Sequence, residues 1–273
     1  MHEFMMFNLL PIWFKILAVT TSGSIIGSFL SLVSYRVVTK EPMVFARSKC
    51  TNCQKTLKAR NLIPIFSWLF SKGKCGSCQI SISWRYPVIE LASVLVFFLV
   101  LFSNNYQISW ILIVQLAIAS NLIFMCITDL EHYFIPNQSQ FTLAIFVAIL
   151  TLLKADSIAS LDVLDNVKGA FTLLSFSLLL LAFFYVTTKK QAMGVDDIKF
   201  FFISGFAIGM DQILLFTMFS GFAGVIFGLL WKAVKKEETF PFAPAMCVSL
   251  FIIMLFGEKI DLLEVASYLI FGI

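Results

Sequence analysis

The stretch that decides the fold is residues 198–230, IKFFFISGFAIGMDQILLFTMFSGFAGVIFGLL, an apolar run of 33 residues. As one α-helix it would be about 50 Å long, whereas the hydrocarbon core of a bilayer is about 30 Å thick. Gly209, Met210 and Asp211 interrupt the run about a third of the way along it. We therefore predict two shorter membrane spans joined by a turn at these three residues.

Similar apolar runs occupy most of the rest of the chain. They cover residues 9–33, 87–102, 108–127, 138–153, 170–186 and 240–256, with a short apolar tail at 262–273. Hydrophobic residues make up 59% of the chain and charged residues only 13%, which is too little charge to cover a soluble domain of this size. In lipid every backbone polar group must be paired within its own segment, so the spans are helical. The sequence predicts an all-α polytopic membrane protein with about eight spans, the first of them retained rather than cleaved as a signal peptide, and a tail that lies in the interface or re-enters.

The distribution of positive charge predicts the orientation in the membrane. With the long run split in two, three loops or segments on one side hold 16 of the 20 basic residues. The opposite side has an uncharged loop and an acidic one. The positive-inside rule places the basic segments in the cytoplasm and the N-terminus outside. We expect three regions: a first span at 1–33, a cytoplasmic module at 34–86, and a membrane core at 87–273.

The cytoplasmic module carries two CxxC knuckles separated by 21 residues. Their four cysteines are Cys50, Cys53, Cys75 and Cys78. Such a set can supply four thiolates to one tetrahedral ion, and Gly73 and Gly76 suit the tight turns of a knuckle. Zinc is the expected metal and iron the alternative, while two disulfides are disfavoured in a reducing compartment. Four protein ligands leave no open position for substrate, so the predicted role is structural.

Two aspartates stand at the edges of apolar runs, where a carboxylate is costly. Asp129 lies in FMCITDLEHYFIPN and Asp197 in AMGVDDIKFF. One alone is best explained as a helix cap or an interfacial charge. The topology, however, puts both at the cytoplasmic face. Two carboxylates that meet there can share one proton, which is the arrangement needed for acid–base hydrolysis of a peptide.

These motifs make the chain resemble the bacterial type IV prepilin leader peptidases, membrane aspartic proteases of the GxGD class. The segments that carry the resemblance are GSFLSLVSYR at 27–36, the cysteine module followed by RYPVIE at 85–90, DLEHYFIPN at 129–137, GVDDIK at 194–199 and PFAPA at 241–245. The resemblance spans nearly the whole chain. In it, Asp196 replaces the second glycine of GxGD, Ser31 replaces an asparagine and Ala243 replaces a glycine.

The resemblance implies a function and a site. Asp129 and Asp197 would be the catalytic pair of an endopeptidase that cuts prepilins or pseudopilins after a glycine, removing a basic leader at the cytoplasmic face of the bacterial inner membrane. Many members then methylate the new N-terminus with S-adenosylmethionine. Glu90 matches a family position, where a buried hydrogen bond and a catalytic role are equally compatible with the sequence. Asp196 adds a third carboxylate, which should make ionising the pair more costly.

Two other classes of function remain open from the residues alone. Intramembrane carboxylates also serve proton-coupled transporters, although carriers usually place them near the bilayer midplane and often show repeats. A non-catalytic zinc-bearing scaffold of a pilus or secretion machine would not need Asp129 or Asp197. The expected partners are prepilin-like substrates and membrane lipid, and no nucleic acid. With only His2 and His132 in the chain, a histidine-based metalloprotease or serine triad is poorly supported.

Overall fold

A computed structural model describes residues 4–39, 48–50, 52–157, 163–189, 193–236 and 239–257. Within these ranges the regular structure is helical, apart from isolated β-bridges in the cysteine module. The helices are α1 (Met5–Asn8), α2 (Ile12–Thr39), α3 (Phe66–Phe70), α4 (Arg85–Ser103), α5 (Trp110–His132), α6 (Asn137–Ser157), α7 (Val163–Thr188), α8 (Val195–Ile208), α9 (Ile213–Lys235) and α10 (Ala243–Phe256). The predicted all-α class is confirmed.

Six of these helices are long and apolar enough to cross a membrane, which makes the chain a multi-pass membrane protein. They are α2, α4, α5, α6, α7 and α9. The other two predicted spans correspond to α8 and α10, which have 14 residues each. At 1.5 Å per residue such a helix is about 21 Å long, shorter than the hydrocarbon core. The apolar tail at 262–273 lies outside the described residues.

The predicted break in the long apolar run is confirmed. Helix α8 ends at Ile208, Gly209 has a positive φ of 71° with ψ of −175°, and α9 begins at Ile213. The carboxylate of Asp165 on α7 accepts a 2.9 Å hydrogen bond from the backbone N–H of Met210, which fixes the turn. A residue with a Cβ is strained at such a φ, so glycine suits this position.

The chain divides into two compact units, Met1–Leu112 and Ile113–Ile273. In the first unit α2 packs on α4 through glycines: a Cβ at Gly27 would lie 2.5 Å from Oγ of Ser93, and one at Gly23 would lie 2.9 Å from the ring of Phe97. Small residues let membrane helices approach closely in this way. The buried Lys15 ammonium donates to the carbonyls of Asn8 and Tyr106, which satisfies a charge that is costly to bury.

The second unit is organised around α8, which packs on α7 and α6 and also contacts α10. Helices α7 and α8 approach closely where Gly169 faces Gly205. Asn166 donates a 2.7 Å hydrogen bond to the carbonyl of Phe206 beside this contact. Because α7 and α8 are joined by a short loop, the start of α8 lies at the same end of the unit as the end of α7.

Replacing Gly205 with valine should separate α7 from α8. A side chain there would overlap the backbone of Gly169 and Ala170, and backbone cannot move aside as a flexible side chain can. We expect a loss of about 3 kcal/mol or more, seen as a lower unfolding temperature in detergent. Gly221→Val is the matched control because a Cβ at Gly221 meets nothing within 4 Å. Equal unfolding temperatures for the two variants would contradict the packing described.

Candidate active site and cysteine cluster

Asp129 lies in the last turn of α5, and 7% of its surface is exposed. Its Oδ2 atom accepts a 2.8 Å hydrogen bond from the backbone N–H of Ala243, the first residue of α10. The unpaired N–H groups at the start of a helix favour a nearby negative charge. The PFAPA segment therefore gives the first aspartate a fixed hydrogen-bond donor from a distant part of the chain.

Asp197 is the third residue of α8 and is half-buried. Its Oδ2 accepts a 3.1 Å hydrogen bond from the backbone N–H of Gly194, which precedes the helix. Burial raises the pKa of Asp197 to about 6, against the opposing effect of the Gly194 N–H. The negative charges of Asp129 and Asp196 are smaller contributions in the same direction as burial and are part of this raised pKa.

The structure places the two aspartates at the same end of the second unit, within range of each other's charge. The charge of Asp129 acts on Asp197 directly, and both carboxylates act on the thiol of Cys247 in α10. Cys247 also interacts with Cys126, which lies one turn before Asp129 on α5. The sequence motifs identified both aspartates, but they gave no sign that these two cysteines lie beside the pair.

Raising the pKa of Asp197 has a consequence for stability. A carboxyl group whose pKa is higher in the folded state than in the unfolded state lowers the free energy of unfolding as pH rises from about 4 to about 6, and the loss persists above that range. Asp197→Asn keeps the acceptor for Gly194 and removes this charge. We expect the variant to gain about 1 kcal/mol, or about 3 °C in unfolding temperature, at about pH 7.5 and nothing at about pH 4.

The control for this experiment is Asp211→Asn. Asp211 is exposed in the turn between α8 and α9, at the other end of α8. Its replacement should leave the unfolding temperature unchanged at both pH values. An equal gain for Asp197→Asn at the two pH values would show that its charge is not the cause.

Polar residues hold the start of α8 against the start of α6. The ammonium group of Lys199 donates to Oδ1 of Asn137 at 2.7 Å and pairs with Oδ1 of Asp196 at 2.9 Å. The buried Gln140 donates a 3.0 Å hydrogen bond from Nε2 to the backbone carbonyl of Asp196. Asn137 and Lys199 belong to recognisable motifs, whereas no feature of the sequence singled out Gln140.

The cysteine module consists of two knuckles of the same construction. The N–H of Cys50 donates to the carbonyl of Lys55 at 3.0 Å, and the N–H of Cys75 donates to the carbonyl of Ile80 at 2.9 Å. Each knuckle turns through a glutamine in the left-handed conformation, Gln54 in the first and Gln79 in the second. Gly73 has a positive φ of 65°, which favours glycine at that turn, and Gly76 lies in the turn of the second knuckle without a positive φ.

The four sulfur atoms form one cluster, all within 4.8 Å of one another, and none is in a disulfide. The sulfurs of Cys50 and Cys78 are 3.8 Å apart. A tetrahedral ion with metal–sulfur bonds of about 2.3 Å requires sulfur–sulfur distances of about 3.8 Å, so the cluster fits zinc or iron. Backbone N–H groups, first that of Cys78, lower the pKa of the Cys75 thiol to about 6, which favours the thiolate that a metal needs.

Glu90 connects the cysteine module to α4. Its buried carboxylate accepts a 2.6 Å hydrogen bond from the backbone N–H of Ile65, which has a positive φ of 62°. A β-branched residue is strained in that conformation, so the bond holds a turn that would otherwise relax. Trp68 fixes the same segment by donating from Nε1 to the carbonyl of Ile82 at 3.1 Å. In this structure Glu90 has the buried hydrogen-bonding role.

Comparison with known proteins gives a consistent result along the chain. The family described as "Bacterial Peptidase A24 N-terminal domain" matches residues 21–104, and the "Type IV leader peptidase family" matches residues 116–229. The chain is 32% identical over 241 residues to a prepilin leader peptidase/N-methyltransferase of Bacillus subtilis, covering 87% of this chain and 93% of the relative.

Other relatives agree. A type 4 prepilin-like proteins leader peptide-processing enzyme of Escherichia coli O78:H11 is 30% identical over 90% of this chain and 95% of its own length. A prepilin leader peptidase/N-methyltransferase of Stutzerimonas stutzeri is 28% identical over 99% of this chain and 98% of its own length. No solved structure matches. The chain belongs to the type IV leader peptidase family.

Proposed function

We propose that this protein is a membrane aspartic endopeptidase that removes the leader from type IV prepilins or pseudopilins, with Asp129 and Asp197 as its catalytic pair. The observation that supports the proposal is that these two carboxylates, from separate motifs, lie within range of each other's charge at one end of a helical unit. Membership of the leader peptidase family supplies the class of substrate.

The hydrogen bonds and the burial of the two carboxylates are consistent with a proton shared between them. Oδ2 of Asp129 accepts from the N–H of Ala243 and Oδ2 of Asp197 from that of Gly194. Among the described residues, the other oxygen of each carboxylate has no hydrogen-bond partner, so it can contact water or substrate. The pKa of Asp197, about 6, allows one proton to remain on the pair near neutral pH. One carboxylate then takes a proton from the attacking water while the other gives a proton to the scissile carbonyl or to the leaving amine. The pair titrates as a unit, and the two roles belong to the pair as a whole.

The position of the lysines supports a cytoplasmic site in the bacterial inner membrane. The ring of Trp231, near the end of α9, contacts Tyr133, which directly follows α5. The end of α9 therefore lies at the same end of the second unit as Asp129. Lys189, Lys199, Lys232 and Lys235 are all at this end, which the positive-inside rule assigns to the cytoplasm. A transporter is less well supported because both carboxylates lie at this one end.

The four-cysteine cluster would bind structural zinc. Cys50, Cys53, Cys75 and Cys78 would hold the ion, which would join two knuckles that have little apolar core of their own. The hydrogen bonds of Glu90 and Trp68 would then connect the ordered module to α4 and to the segment before it.

The relatives' names extend the proposal to methylation of the new N-terminus with S-adenosylmethionine. Two cavities in the second unit, of about 390 and 280 Å³, are lined almost entirely by apolar side chains. Such linings do not match the carboxylate and the adenine of S-adenosylmethionine, and no step of methyl transfer follows from these residues.

Purified protein in lipid vesicles tests the proposal when it is mixed with a prepilin that carries its leader. We expect two products, the leader and a mature chain, identified by mass spectrometry, and no effect of serine-protease inhibitors. A substrate that remains intact while the protein is folded would contradict the peptidase assignment.

A further inference from the structure

Lys199 occupies a central position in the polar network at the start of α8. Its ammonium group contacts Asn137, the first residue of α6, and Asp196, the residue before Asp197. The side chains of Lys199 and Asp196 are 44% and 37% exposed, so their ion pair is partly screened by water. Lys199 therefore joins the segment after the first aspartate motif to the second aspartate motif.

Asp196 carries a negative charge next to the aspartate pair, and a positively charged partner offsets it. The family motif has a glycine at this position, and in this chain a third carboxylate stands beside the pair. Gln140 binds the backbone carbonyl of Asp196 and so fixes the backbone next to Asp197. The bond from Gln140 does not change the charge of the Asp196 side chain, which only the ammonium of Lys199 offsets among the contacts described.

We propose that Lys199 is a positioning residue of the peptidase: it neutralises Asp196, ties it to Asn137, and so keeps a third carboxylate from competing for the proton of the Asp129–Asp197 pair. This inference rests on the proposed peptidase activity. It assigns Lys199 a role through Asp196 and requires no contact between Lys199 and the substrate.

Of the charged groups near Asp197, Asp196 is the one whose charge Lys199 offsets. Asp129 faces Asp197 from α5 and the thiol of Cys247 faces it from α10.

Helix α6 presents the uncharged Asn137 and Gln140 to the start of α8. The described charged residues of α7, Asp165 and Lys168, lie near the other end of α8, where Asp165 binds Met210. On α5, Glu131 and His132 contact each other at 3.8 Å.

The sign of the effect follows from the charges. In Lys199→Met the charge of Asp196 is no longer compensated, so both protons of the pair are held more tightly. The bell-shaped pH profile of kcat should move to higher pH by about half a unit, which lowers kcat on the acid limb about threefold. Asp196→Asn should move the profile to lower pH by a similar amount. The double variant Lys199→Met/Asp196→Asn should return it close to the wild-type position, with KM changed less than about twofold throughout.

Two further variants complete the experiment. Lys199→Arg keeps the charge and should keep the wild-type profile, and Lys168→Met removes an exposed lysine from the opposite end of the unit and should change nothing. Opposite shifts that cancel in the double variant support the proposal. If Lys199→Met does not fold, Asp196→Asn alone decides it, because an unshifted profile would overturn the inference. If the wild-type protein cleaves the substrate but no variant has a shifted pH profile of kcat, this inference is refuted and the proposed peptidase function is unaffected.

Discussion

Asp129→Asn and Asp197→Asn should each abolish cleavage of a prepilin, lowering kcat by about 10³-fold or more. Asparagine has nearly the size of aspartate and can still accept the hydrogen bonds from Ala243 and Gly194. The fold should therefore persist while the shared proton is lost. The measurement is the release of leader peptide by each purified variant in lipid vesicles.

The control for both variants is Asp211→Asn, which removes an exposed carboxylate in the turn at the other end of α8 and should cleave at the wild-type rate. Asp196→Asn should also cleave, with its pH profile displaced. If Asp197→Asn processed the substrate fully and Asp196→Asn did not, the second catalytic carboxylate would be Asp196.

Replacement of Cys50 and Cys75 by serine should remove the metal from the protein. The wild-type protein is expected to contain about one zinc per chain, because four thiolates within 4.8 Å of one another form a closed tetrahedral site. Metal binding to such sites contributes about 10 kcal/mol or more to folding, so the module should become sensitive to proteases when the metal is lost. Elemental analysis and limited proteolysis measure the two effects.

Cys126→Ser is the matched control, since Cys126 lies in α5 outside the cluster and its replacement should leave the metal content unchanged. An unaltered metal content in the Cys50→Ser/Cys75→Ser variant would refute the site. Iron in place of zinc would keep the site and change only the ion.

The main features of the fold could be predicted because each depends on a local pattern. The turn at Gly209 follows from a run too long for one span, and the start of α6 follows Pro136. The shortness of α8 follows from the same break, because only residues 198–208 of the run precede Gly209. The bounds of α10 could not be predicted, because a hydropathy pattern does not show where a helix begins and ends against its neighbours. The division into regions at 1–33, 34–86 and 87–273 remains a prediction.

The site could be predicted in part. Asp129, Asp197 and the four cysteines stand in motifs with fixed spacing, so their residue types alone suggested their chemistry. The bond from Ala243 to Asp129 and the bond from Gln140 to Asp196 join distant segments through backbone groups. Every residue carries such groups, so the sequence does not distinguish the ones that are used. Lys15 is a similar case, since its burial depends on carbonyls that the fold places around it.

The most direct test of the paired aspartates is chemical cross-linking of the two positions. In a background with Cys126→Ala and Cys247→Ala, the double variant Asp129→Cys/Asp197→Cys should be joined by a short bifunctional thiol reagent. After proteolysis of the loop between α7 and α8, the two fragments should then remain linked. A pair with Asp129→Cys and Asp211→Cys should stay unlinked because Asp211 lies at the opposite end of α8. The single variant Asp197→Cys in the same background should also stay unlinked, which excludes a link to Cys50, Cys53, Cys75 or Cys78. Equal linking of both pairs, or of neither, would contradict the arrangement on which the catalytic pair depends.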